Sequence, residues 1–167
     1  MTEGKNSIPD NVAFLKTKAD KIPTAMLTTY TANKGFHSRP MGTAEIDAQG
    51  NIWFFTNELS AKVNETSIDD KVSVTYADSA LHTYLSIKGK AMLVDDKAKM
   101  KTLWNPFIHA FFPKGLDDPN LTLLKIETTE LEYWESSTSK IVLFFNILKS
   151  NLLGEVFDEG QHGTLKL

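Results

Sequence analysis

The clearest alternation in the chain runs from Lys71 to Tyr76, where Val72, Val74 and Tyr76 fall on one face of an extended segment. Strand character recurs on both sides of it. Thr24 to Thr31 is rich in β-branched and apolar residues, Asn33-Lys34-Gly35 supplies turn chemistry, and Ser38 to Ile46 resumes as a second strand. Asp47-Ala48-Gln49-Gly50 closes that strand and Ile52 to Thr56 begins a third, so the three predict a meander. Leu81 to Val94 predicts one long or bent strand with Gly89 at the bend, and Leu121 to Ile126 and Glu130 to Glu135 complete the set.

Helical signals fall between these strands. Pro9-Asp10 opens a weakly amphipathic segment to about Lys21, with Val12, Leu15 and Ala19 on one face. A helix is also predicted from Asn57 to Ile68, ended by Asp69-Asp70, and another from Asp95-Asp96 through about Trp104, with Pro106 restricting its continuation. Ile141 to Leu148 reads equally as a strand or as a helix apolar nearly all round, and such a helix would need a partner subunit to cover it. Gly154 to Leu167, with Gly160 and Gly163, predicts a loosely anchored tail.

Six or seven strands with helices inserted between them do not alternate β and α as a doubly wound sheet does. The expected fold is mainly β with peripheral helices: a six- to seven-stranded antiparallel barrel, closed or partly closed so that its edges are protected. One domain spans 1–167, with a covering helix at about 9–21 and a C-terminal extension at about 140–167. The length of 167 residues, 41% hydrophobic and 23% charged, fits a single ordinary globular core.

Charge and composition narrow the function. A net charge of -3 gives no bulk attraction for nucleic acid, although a local positive pocket is compatible with it. Cysteine is absent, which removes thiol nucleophiles, thiolate metal sites and disulfides together and points to the cytoplasm. No apolar stretch at the N-terminus has the form of a signal peptide, and no run approaches the ~20 residues of a membrane span. The four histidines show no ligand spacing, and neither a P-loop, a dinucleotide fingerprint nor a serine-hydrolase elbow occurs.

What remains is a convergence of charge at one end of a hairpin. Ser60 reads as a helix N-cap with Lys62 in the first turn, where a cation is unfavourable by a few tenths to ~1 kcal/mol unless an anion sits beside it. In His37-Ser38-Arg39-Pro40-Met41, Arg39 carries a planar fork suited to phosphate and Pro40 marks an edge or irregular position. An isolated arginine near a turn is usually a solvated surface residue. Here the hairpin brings Arg39 toward Thr56 and Ser60, so two cations and two hydroxyls predict a phosphate pocket held by side chains and a helix terminus.

These residues resemble the FMN-binding split-barrel superfamily of pyridoxamine 5'-phosphate oxidase, and more closely its general stress protein 26 branch. The resemblance covers approximately Thr24 to Glu135. It is carried by the order and spacing of Thr24-Ala25-Met26-Leu27-Thr28-Thr29, His37-Ser38-Arg39-Pro40-Met41, Trp53-Phe54-Phe55-Thr56, Ser60-Ala61-Lys62-Val63, Lys88-Gly89-Lys90-Ala91 and Leu131-Glu132-Tyr133-Trp134.

The resemblance implies a homodimer with flavin at the subunit interface. Arg39 and Lys62 would contact the FMN phosphate and Ser60 would support it. Phe55, Thr56 and the Arg39-Pro40-Met41 backbone would line the ribityl and ring region. Trp104 and Phe112, in the aromatic block from Trp104 to Pro113, would wall the flavin's edge or else serve as packing. The implied function is a flavoprotein, an oxidoreductase of unknown substrate, with non-enzymatic flavin binding or sensing, and FAD or a deazaflavin as ligand, as the alternatives.

Two departures matter. The oxidases have Ser-Arg-Lys where this chain reads Ser60-Ala61-Lys62, so one phosphate cation is missing. They also follow their late tryptophan with an arginine and histidine cluster that grips the substrate phosphate, whereas Trp134 is followed by Glu135-Ser136-Ser137-Thr138-Ser139. Pyridoxamine phosphate is therefore not the expected substrate. His37 is expected on the surface, and His82 and Tyr84 either line a cleft or pack.

Overall fold

A computed structural model describes residues 7–57, 70–135 and 161–167. The alternating segments form β1 (Thr24–Thr31), β2 (Gly35–Ile46), β3 (Ile52–Asn57), β4 (Lys71–Asp78), β5 (Thr83–Val94), β6 (Leu121–Glu135) and β7 (Gln161–Lys166). All ladders are antiparallel, in the order β3-β2-β1-β4-β5-β6-β7. β3 also pairs with β6, from Ile52 opposite Ile126 to Asn57 opposite Leu121. That pairing closes six strands into a barrel and leaves β7 outside the ring, on the C-terminal half of β6.

The predicted meander is β1-β2-β3, although β2 starts at Gly35 and not at Ser38. Where the pattern predicts two strands at 121–126 and 130–135, one continuous strand forms. Its first half is shared between β3 and β5, and its second between β5 and β7. The apparent break is a bulge: Gly89 lies opposite Thr128 while Lys88 lies opposite Glu130, so the register shifts where Gly89 was expected to bend the chain.

The tail is a second correction. Residues 161–166 form β7, registered against β6 from Lys166 opposite Glu130 to Gln161 opposite Glu135. Leu165 is buried in the main core, and Gly163 leaves room for the Tyr133 ring, whose atoms would stand 2.8–3.0 Å from any Cβ there. The glycine that reads as loop in the sequence is thus a close-packing position. Lys166 and Lys88 both bind the Glu130 carboxylate, which holds its pKa down at about 2.

Three helices occur among the described residues. α1 (Ile8–Ala19) begins with a capping box between Ser7 and Asp10 and buries Val12, Leu15 and Ala19, with Leu15 and Ala19 entering the barrel core. α2 (Lys97–Leu103) is capped by Asp96, whose carboxylate accepts from the Lys99 amide at 2.9 Å. α3 (Pro106–Phe111) follows at once, capped by Asn105. Pro106 does stop the preceding helix, but it also occupies the first turn of a new one, where its missing N–H costs nothing. Asn57, where the helix to Ile68 is predicted to begin, is the last residue of β3; the rest of that predicted helix and the Ile141–Leu148 segment lie outside the described residues.

Alternation along β3 divides the molecule into two cores. Ile52 and Phe54 point into the barrel, while Trp53 and Phe55 join a second cluster with Met100 and Ile108 from the helices. β3 is apolar on both faces because both are covered.

Tyr76 is wholly buried inside the barrel, its hydroxyl 2.8 Å from that of Thr43. Burial pushes its pKa up to about 12. The neutral phenol is favoured in the fold, so this contribution is complete below pH 10 and is lost as pH rises from 10 toward 12. At two pH units it amounts to roughly 2–3 kcal/mol. Urea unfolding midpoints should fall over that interval in the wild type and much less in Tyr76→Phe; parallel curves would show that another group governs alkaline unfolding.

Candidate functional site

The site is organised by four consecutive residues of β2, Arg39 to Gly42. Arg39 stands opposite Leu27 on β1 and is half-buried. Its Nη2 donates to the Thr29 hydroxyl at 2.6 Å, and the Thr29 hydroxyl donates in turn to the His37 carbonyl at 3.5 Å. Thr29 is buried, so a hydroxyl fixed within the sheet orients the guanidinium. His37 is exposed, as expected.

The β2–β3 ladder explains Pro40. Its described pairs stop at Thr43 opposite Phe54, after a register shift between Thr43 and Glu45. Pro40 is paired with Met26 of β1, and no described ladder requires its missing N–H on the other side. Running outward from the Asp47–Gly50 turn, Arg39 and Thr56 both lie beyond the last β2–β3 pair, at the same end of the hairpin. Met41 is buried in the barrel core, whereas Pro40 and Gly42 are exposed on the outer side.

Outside the barrel an aromatic wall faces this strand. Phe55 meets Trp104 edge-on with ring centroids 5.5 Å apart, and Phe112 lies 6.3 Å away. Trp104 also contacts His109 at 6.1 Å. Between the wall, α3 and Pro40–Gly42 lies a cavity of about 160 Å³. Phe107 and Phe111 stand one helical turn apart, 55% and 66% exposed, with centroids 5.1 Å apart. The Phe107 ring packs against Gly42, where a Cβ would come within 3.2 Å of it.

The structure therefore brings Pro40, Met41 and Phe55 to one cavity and sets Trp104 against Phe55. Thr56 is fully buried, paired with Thr122, and lies on the opposite face of β3 from Phe55. The two neighbours address different sides of the sheet. Ser60 and Lys62 lie outside the described residues. Gly42, Phe107 and Phe111 were missed as site residues. Pro106 at a helix start followed by aromatics at i and i+4 is a signal for Phe107 and Phe111 as a pair, whereas nothing local marks Gly42.

A larger groove of about 530 Å³ runs along the outer sheet past Tyr30, Phe36, Lys71 and Lys88. Lys88 is ion-paired to Glu130 and Glu132, and Lys90 lies 3.8 Å from Asp70. Much of its positive charge is thus compensated. His82 sits at a turn in the left-handed region, with φ of 49°, directly before β5, and Tyr84 is exposed on the outer face. Among the described residues no cluster of His, Asp and Glu could hold a metal ion, and no helix is long and apolar enough to cross a membrane.

The family model described as "Pyridoxamine 5'-phosphate oxidase like" matches residues 10–158. Protein bli-3 of Neurospora crassa is 24% identical over 147 residues, covering 82% of this chain and 65% of its own length. The chain thus spans less than two-thirds of that relative. Among solved structures, a protein described as general stress protein 26 from Jannaschia sp. CCS1 superposes with a TM-score of 0.75 at 21% identity, covering 95% of this chain and 99% of its own. The general stress FMN/FAD binding protein of Xanthomonas citri superposes with a TM-score of 0.64 at 28% identity, covering 79% and 90%. The matched region takes in every strand of the closed barrel and the Arg39–Gly42 segment, and this chain belongs to the pyridoxamine 5'-phosphate oxidase-like family.

Proposed function

We propose that this chain is a cytoplasmic flavin-binding protein that holds FMN along Arg39–Gly42 and works as an oxidoreductase. The observation that carries the reading is the layout of that strand. A half-buried guanidinium oriented by Thr29 lies at one end, and Pro40 and Gly42, uncharged and exposed on the outer side, face aromatic side chains toward the other. Consecutive residues of one strand rise about 3.3 Å each, so the cationic and aromatic ends are separated by roughly 10 Å. A ligand with a phosphate at one end and a flat ring system at the other fits that polarity.

Arg39 would hold the phosphate together with Ser60 and Lys62. Pro40 and Met41 would present backbone to the ring, while Phe55 and Trp104 keep water from that side. When bound, the flavin supplies two-electron redox chemistry. The chain's own residues bind, orient and shield. The name of the Xanthomonas citri relative supports flavin as the ligand class and leaves both FMN and FAD in view.

The reading includes a homodimer. Tyr30, Phe36, Tyr84 and Trp134 are large side chains exposed on the outer sheet, and a second copy would cover them. Pyridoxamine phosphate is not the proposed substrate. Trp134 is followed by Glu135, a carboxylate paired with Lys18, where gripping a second phosphate would need a cation.

Gently purified protein should show flavin absorption or quench the fluorescence of added FMN at micromolar concentration. Absence of both overturns the proposal. Mass spectrometry of the released ligand decides between FMN and FAD, and stopped-flow bleaching by reduced nicotinamide separates an enzyme from a flavin store.

A further inference from the structure

We infer that Tyr76 is a positioning residue for the Pro40–Gly42 segment: from inside the barrel its hydroxyl holds Thr43, and Thr43 sets where that stretch of backbone stands. That the stretch lines a flavin rests on the reading above; that Tyr76 positions it does not.

Thr43 is the junction of the site strand. It is paired with Phe54 of β3 beside the register shift that separates it from Glu45, and from Thr43 toward Arg39 the described pairs of β2 are with β1 alone. A strand held on one side next to a bulge can tilt more freely than one inside a regular ladder. Two bonds fix Thr43 against this. Its amide donates to the Pro23 carbonyl at 3.1 Å, and its side-chain oxygen lies 2.8 Å from the Tyr76 hydroxyl. Gly42 is the next residue, and Met41, two positions on and on the same face as Thr43, shares the barrel core with Tyr76.

Tyr76 reaches Thr43 across the strand between them. β4 pairs with β1, Thr75 opposite Met26, so Tyr76 stands beside Ala25, with β2 on the far side. Ala25 is fully buried, and its methyl leaves the phenol space to cross. The rest of the core around Tyr76 is apolar, and phenylalanine would fill nearly the same volume without a polar atom to satisfy. A buried hydroxyl pair adds little net stability, since both groups give up water to form it, but it fixes where both stand. Here the fixed point is one residue from the site.

The test compares Tyr76→Phe, Thr43→Val and the double variant, each as the full chain, by melting temperature, by amide hydrogen exchange without flavin, and by FMN titration. Each single change leaves one hydroxyl without its partner and should lower the melting temperature; the double change leaves none and should regain most of the loss. Positioning should not return with stability. Exchange at the Met41 amide, measured against the amides of β5, is expected to be about fivefold faster in all three variants, and FMN affinity about fivefold weaker, the worth of one neutral hydrogen bond. Thr43→Ser keeps the hydroxyl and should match the wild type in both. Exchange or affinity that stays at the wild-type value, or that recovers in the double variant together with the melting temperature, would reduce the pair to packing and overturn the proposal. A wild type that binds no FMN overturns the flavin reading instead, and the exchange measurement still decides whether Tyr76 positions the strand.

Discussion

Arg39→Ala should weaken FMN binding by about 100-fold, with the barrel still folded. A charged hydrogen bond is worth ~1.5–3 kcal/mol, and the upper end of that range corresponds to two orders of magnitude in Kd. The upper end applies because the guanidinium is already half-buried and oriented by the Thr29 hydroxyl, so binding a phosphate costs it little further ordering. Arg39→Lys keeps the charge but not the planar fork, and should recover only part of the affinity. Thr29→Val leaves the cation in place and removes its orienting hydroxyl; a loss of about tenfold is expected from one hydrogen bond. Fluorescence titration gives all three values, with melting curves run alongside. Unchanged affinity in Arg39→Ala would remove Arg39 from the site and the phosphate pocket with it.

Gly89→Ala should be the most destabilising single methyl that can be added to the described sheet. A Cβ at Gly89 would lie 2.6 Å from the backbone oxygen of Glu127 and 2.8 Å from Ile126 Cγ2. The first contact is main chain in a paired strand, so relief requires β5 and β6 to separate at the bulge. Overpacking typically costs 1–3 kcal/mol, and a clash against backbone belongs at the upper end, roughly 3 kcal/mol. For a chain of this size that lowers the melting temperature by roughly 6–12 °C. Gly35→Asn is the matched control, since Gly35 has a φ of 72° with nothing within 4 Å, and asparagine tolerates that backbone region. A wild-type melting temperature for Gly89→Ala would mean the two strands are not in close contact there.

The barrel was legible because its strands are read locally. Val72, Val74 and Tyr76 alternate as a half-buried strand must, and the turns at Asn33–Gly35 and Asp47–Gly50 carry their own signals. The tail was not legible, because β7 is a strand only through β6: its glycine and polar residues have no strand character until Tyr133 and the Glu130 carboxylate supply partners. Arg39 could be singled out from its chemistry and its hairpin. The aromatic cavity could not, since its walls come from β2, β3 and α3, and nothing local in Phe107 or Gly42 announces that they touch. Phe55 and Thr56 show the same limit in reverse. Adjacent in sequence, they read as one lining, but the strand period sends them to opposite faces.

The β3–β6 closure also governs how the molecule forms. β1, β2 and β3 can assemble through short turns, but β3 finds its second neighbour only when Ile52 meets Ile126, nearly half a chain later. Such a pairing is slow because a long loop must close before any contact rewards it. Until then β3, with five successive positions that end up buried, is an open apolar edge. Refolding yield should accordingly fall as protein concentration rises, and a peptide copy of Leu121–Ile126 added during refolding should compete for that edge.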